Sequence, residues 1–82
     1  MHYNELKVRI LGLFQPEHEL SSLKIRELLS KDTALNLTDK SVEMALMRYW
    51  RHGLLSRNRR GRFFHYSLTE RGLARLAWLR KK

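Results

Sequence analysis

The chain has 82 residues, no cysteine and a formal net charge of +9. A domain of that size folds around one core with little room left for a deep substrate cavity, and without cysteine it has neither a disulfide framework nor a thiolate zinc site, which suits a reducing cytoplasm. The charge is one-sided: residues 1–41 hold six basic and six acidic side chains, whereas residues 42–82 set eleven Lys and Arg against only Glu43 and Glu70, so the second half carries the whole +9 and favours a polyanionic partner.

Four helix starts share one device, an apolar residue before a capping Asn, Ser or Thr and a second apolar residue four positions beyond the cap: Tyr3-Asn4 with Val8, Leu20-Ser21 with Ile25, Leu37-Thr38 with Val42, and Leu68-Thr69 with Leu73. The first helix is expected from Asn4 to about Phe14, with Leu6, Ile10, Leu11 and Phe14 inward, and it stops there because Gln15 precedes Pro16 and is pushed out of the helical region. Lys7, Arg9 and Gly12 interrupt its apolar run, which is too short to cross a bilayer, and no secretion signal is visible. Glu17 to Glu19 read as an exposed loop. The second helix is expected over Ser22 to Lys31, with Ile25, Leu28 and Leu29 as its apolar stripe and Lys24, Arg26 and Glu27 outside. Asp32 to Leu37 connects it to the third.

The third helix, over residues 39–52, organises the rest. Val42, Ala45, Leu46, Tyr49 and Gly53 fall on one face at the three-and-four spacing, while Asp39, Lys40, Glu43, Met44, Met47, Arg48 and Arg51 fall on the other. Thr38 caps it and Gly53 ends it. After Gly53 the period changes from helical to alternating, with Phe64, Tyr66 and Leu68 on one side of a strand and Phe63, His65 and Ser67 on the other. Two antiparallel strands follow. A type I turn over Asn58-Arg59-Arg60-Gly61 pairs Leu54 with Tyr66 and Ser56 with Phe64; a two-residue Arg60-Gly61 loop shifts that pairing by one on the first strand. In either register Phe64, Tyr66 and Leu68 share the core face. Thr69 then caps a last helix, Glu70 to about Arg80, whose Leu73, Leu76 and Ala77 reach the core while Arg71, Arg75 and Arg80 do not. The tail Arg80-Lys81-Lys82 is expected to fray. The whole chain, residues 1–82, reads as one domain, mainly α with a small β-hairpin.

Two features carry chemistry. Arg57, Arg59, Arg60 and Arg62 crowd four guanidinium groups onto a hairpin tip that cannot bury them, which leaves each available for a phosphate or a narrow minor groove. Met44 and Met47, with Trp50 one step further along, sit on the outward face of the third helix, where three uses are open: packing against the core, contact with a thymine methyl, or contact with a partner protein. His2, His18, His52 and His65 lack metal-ligand spacing, no glycine-rich phosphate loop is present, and Ser, His and acidic residues fall where caps and surfaces explain them. No cofactor, metal, small-molecule ligand or catalysis is expected.

The order helix, helix, helix, two-stranded hairpin, helix, together with Val42-x-x-x-Leu46-x-x-Tyr49-x-x-x-Gly53-Leu54-Leu55-x-Arg57 and Tyr66-x-Leu68-Thr69-x-x-Gly72, resembles the winged helix-turn-helix domain of MarR-like and PadR-like regulators over nearly the whole chain. The additional long helices by which those families usually dimerise are missing, so their ligand-responsive dimer does not carry over, and a homodimer stays an open question. The resemblance implies double-stranded DNA binding by a small transcriptional regulator of a prokaryotic or viral setting, cytoplasmic and nucleoid-associated. It puts the third helix in the major groove, with Lys40, Ser41, Glu43, Met44, Met47, Arg48 and Arg51 at or beside the reading positions, and the wing of residues 56–67, with Arg57, Arg59, Arg60 and Arg62, on phosphates or the minor groove. Glu43 accepts from a cytosine amino group there or else repels phosphate. The winged helices that bind left-handed DNA have asparagine and tyrosine where Glu43 and Met47 stand, so that role is set aside. Two alternatives remain: a protein-interaction winged helix that docks a partner through Met44, Met47 and Trp50, leaving the arginines to hold RNA or an acidic protein, and a non-specific architectural DNA-binding protein.

Overall fold

Helix boundaries in this chain are set largely by hydrogen bonds between near neighbours. The protein is described by a computed structural model covering residues 3–14, 18–31 and 37–81. In it the Ser21 hydroxyl accepts from the Lys24 amide at 3.1 Å, Thr38 from Ser41 at 3.1 Å, and Thr69 from Gly72 at 3.0 Å, each closing an otherwise unsatisfied N–H of a first helical turn. The elements run α1 (Tyr3–Leu11), β1 (Leu20–Ser21), α2 (Ser22–Ser30), α3 (Asp39–Arg51), β2 (Leu55–Arg60), β3 (Phe63–Leu68) and α4 (Glu70–Arg80). The strands form an antiparallel sheet in the order β1-β3-β2.

The C-terminus of α3 is closed by Gly53, whose φ of 77° is the left-handed conformation that a glycine adopts without strain. Its amide donates to the Trp50 carbonyl at 3.0 Å and the Leu54 amide donates to the Tyr49 carbonyl at 2.9 Å, the paired bonds of a Schellman ending. That sharp stop sends the chain straight from α3 into β2. Hence the hairpin is seated beside α3, against which β2 packs.

The core gathers Ile10, Leu11 and Phe14 after and within α1, Ile25 and Leu29 of α2, Val42, Ala45, Leu46 and Tyr49 of α3, Leu54, Leu55 and Tyr66 of the hairpin, and Leu76 of α4. All four inward positions expected of α3 in its helical body are buried, and Phe64 and Leu68 pack on the core beside Tyr66.

Several expectations are corrected. Asn4 is already inside α1, which begins at Tyr3, so it is not the cap. The same helix ends at Leu11, three residues before Phe14, because the amides of Leu13 and Phe14 turn to the carbonyls of Ile10 and Leu11 at 3.1 and 3.4 Å, a tightened last turn around Gly12. The stop assigned to Gln15 and Pro16 and most of the 32–37 connection lie outside the described residues, as do Glu17 and Lys82. Leu20 and Ser21, read only as a staple and a cap, also form β1 against Tyr66 and His65, so the two-stranded hairpin becomes a three-stranded sheet.

Neither proposed hairpin register holds. Arg57 lies opposite Tyr66 and Arg60 opposite Phe63, so the loop is Gly61-Arg62 and β2 extends to Arg60. Gly61 has φ of 63°, and the tight two-residue hairpin turns require a positive φ at that first loop position. The last correction concerns α4, whose buried stripe is Gly72, Leu76 and Leu79, while Leu73 and Ala77 are exposed. The helix is turned this way because Gly72 abuts the hairpin entrance: a Cβ there would stand 2.0 Å from the Leu54 carbonyl oxygen and 2.7 Å from a Leu68 methyl. Only glycine permits that approach.

Candidate nucleic-acid interface

The outward face of α3 and the hairpin form one continuous surface, since β2 follows α3 with only His52 to Leu54 between them and packs against it. On α3 the side chains of Lys40, Ser41, Glu43, Met44, Met47 and Arg51 are exposed, and Arg48 is half-buried. Met44 is 49% and Met47 36% exposed, which removes the core use of these methionines and leaves contact with a base or with a partner. The Ser41 hydroxyl is 2.8 Å from that of Thr38, so it is held at the helix start.

Glu43 is not an isolated negative charge on this face. Arg26 of α2, half-buried rather than outside as the helical pattern suggested, reaches Glu43 at 3.6 Å and Asp39 at 3.4 Å. One guanidinium thereby bridges two carboxylates and ties the start of α3 to α2. Both carboxylates remain well exposed, so the link contributes little stability, but it offsets the negative charge at the end of the helix that faces solvent.

The hairpin arginines divide into two kinds. Arg57 is half-buried, with its guanidinium carbon 3.6 Å from the centre of the Trp50 ring and 4.1 Å from that of Phe64. A planar cation between two aromatic faces, one on α3 and one on β3, is a clamp that joins helix to hairpin. Arg60 forms an ion pair with Glu19 at 3.0 Å, and Asn58 donates to the other oxygen of the same carboxylate at 3.5 Å, so the segment before β1 steadies the far strand. The expectation that all four guanidinium groups stand free is therefore wrong for Arg57 and Arg60. Arg59 is exposed with its guanidinium 5.6 Å from the Phe64 ring, and Arg62 is exposed at the two-residue tip.

No protein-family model matches the chain, and no curated protein matches it. Lys40, Arg51, Arg59 and Arg62 are exposed cations that make no ion pair among the described residues. Between α3 and the hairpin lies an open cleft of about 320 Å³, with Met47, Phe63 and Phe64 among its apolar walls and Glu43, Arg62 and Ser22 among its polar ones. Among the described residues no group of His, Asp and Glu is placed to hold a metal ion, and no helix is long and apolar enough to cross a membrane.

Sequence reasoning found the cationic residues but missed how they are held. Glu19 and Arg26 carried no signal, because each finds its partner in an element distant in sequence. A hint did exist for Arg57: the expected Arg60-Gly61 loop sets it opposite Phe64, on the face it shares with Tyr66 in the observed register as well.

Proposed function

We propose that this protein binds double-stranded DNA through the outward face of α3 and the β2–β3 hairpin, acting as the winged helix-turn-helix domain of a small transcriptional regulator. The observation that carries the reading is the confinement of the whole +9 charge to residues 42–82. A single-sign field on one part of the chain attracts a polyanion, and solubility alone does not require such segregation. Support comes from the order of elements, with a hairpin directly after the third helix, and from the exposed Lys40, Arg51, Arg59 and Arg62.

In this reading α3 enters the major groove with Lys40 and Ser41 on phosphates or base edges, Met44 and Met47 on thymine methyls, and Glu43 held toward Arg26 and away from the phosphates. Arg59 and Arg62 take phosphates or a narrow minor groove. Arg57 acts through the clamp, by fixing the hairpin against α3. The protein works by binding, with no catalysis, in the cytoplasm beside the nucleoid.

A gel-shift series on random duplex with a salt titration tests it. Neutralising about six phosphates gives a slope of log affinity against log salt near about −5, whereas a slope near zero or no binding at low salt removes duplex DNA as the partner. The exposed Met44 and Met47 support a second reading, in which the same face docks a partner protein, since an exposed pair of flexible apolar side chains suits an adaptable interface.

A further inference from the structure

We propose that the cleft between α3 and the hairpin holds an unpaired base of single-stranded DNA, an inference that rests on the nucleic-acid reading above. In a duplex the ring faces of the bases are stacked on one another and a protein meets only their edges. An exposed aromatic face is of use to nucleic acid chiefly when a base has left the stack. The cleft offers one such face: Phe63 is 38% exposed at the start of β3, beside the two-residue tip, with Met47 of α3, 36% exposed, across the gap.

Its polar groups suit a nucleotide. Arg62 at the tip is placed for the phosphate of the strand, while the Glu43 carboxylate and the Ser22 hydroxyl border the cleft as acceptors for an N–H on the edge of a base, such as the N3–H of thymine. A volume of about 320 Å³ admits a base with room for its sugar to remain outside. The exposed Arg59 and Arg62 supply the positive field that draws a single strand across the opening. The strand is DNA, the nucleic acid of the reading above, and a ribose strand is an outcome of the test.

The test uses the full chain with Trp78→Phe, so that emission comes from Trp50, whose ring is stacked on Arg57, a residue that lines the cleft. Short oligo-dT, oligo-rU of equal length and a random duplex are titrated against this protein and against Phe63→Ala and Phe63→Tyr. Oligo-dT is expected to bind and change the Trp50 emission. Phe63→Ala should weaken that binding about tenfold, the loss of one base–aromatic stack, with duplex affinity changed by less than about twofold, and Phe63→Tyr should restore it. Circular dichroism of Phe63→Ala checks that the fold is kept, as expected for an exposed side chain. Equal weakening of duplex and oligo-dT, or duplex binding without oligo-dT binding, overturns the cleft proposal and leaves the duplex reading intact. Failure of all three probes overturns both, and tighter binding of oligo-rU overturns DNA as the strand.

Discussion

Arg57→Lys separates a guanidinium that grips a partner from one that holds the protein's own hairpin. The substitution keeps the charge and removes the planar group that lies 3.6 Å from the Trp50 ring centre and 4.1 Å from that of Phe64. A cation on an aromatic face is worth about 0.5–1 kcal/mol when exposed and about 2 kcal/mol when desolvated. Arg57 is half-buried and touches two rings, and a compact hydrated ammonium cannot lie flat between them, so the change should cost about 1 kcal/mol. In a domain of this size that lowers the melting temperature by about 4–8 °C. Thermal unfolding by circular dichroism measures the shift, with Trp50 emission in a Trp78→Phe background as a local reporter. Arg59→Lys is the control, since Arg59 is exposed and 5.6 Å from Phe64, and it should leave the melting temperature nearly unchanged. On duplex DNA Arg57→Lys should lower affinity through the loosened hairpin while the salt slope stays constant, because no charge is lost. An unchanged melting temperature and unchanged Trp50 emission would refute the clamp.

Gly72→Ala should cost about 3 kcal/mol or more, because its methyl meets the Leu54 carbonyl at 2.0 Å and backbone must move to admit it; equal denaturation midpoints for mutant and parent would disprove that packing. Replacing Arg59, Arg60 and Arg62 by serine should weaken specific and random duplex by similar factors and reduce the salt slope by about one per lost contact. Stability should fall by less than about 1 kcal/mol, since among the described residues only Arg60 of the three has an ion pair, with Glu19, and its side chain is well exposed. Changing Met44 and Met47 together to lysine should leave the fold intact, as both are exposed. Affinity for random duplex should then rise while discrimination between a selected site and random sequence falls; dissociation of an assembly in sedimentation would instead favour the partner-docking reading.

What the sequence determined by itself is what neighbours in the chain decide. The caps at Ser21, Thr38 and Thr69 are hydroxyls that accept from an amide three residues on, and the turn at Gly53 needs only a residue that accepts positive φ, so both were readable from local pattern. The buried face of α3, and Ile25 and Leu29 in α2, were readable as well, because the 3.6-residue period converts spacing directly into a side of the helix. Tertiary structure decided the rest. A strand of two residues, Leu20 and Ser21, is too short to carry a period, and it exists only because β3 supplies a hydrogen-bonding edge. The hairpin register was set by seating Gly61 at the first position of a Gly61-Arg62 loop, which neither expected turn used, and it places Arg57 opposite Tyr66 and beside Phe64, where it is a clamp. The rotation of α4 follows from the contact of Gly72 with Leu54, which are distant in sequence, so the apolar pattern alone favoured Leu73 and Ala77 over Leu79. Arg26 with Glu43 and Arg60 with Glu19 are likewise pairs made across elements. The amount and sign of charge on the surface were therefore fixed by composition, but which cations stand free to meet a polyanion was settled by packing, because an arginine is committed only when a ring or a carboxylate from another part of the chain is brought within reach.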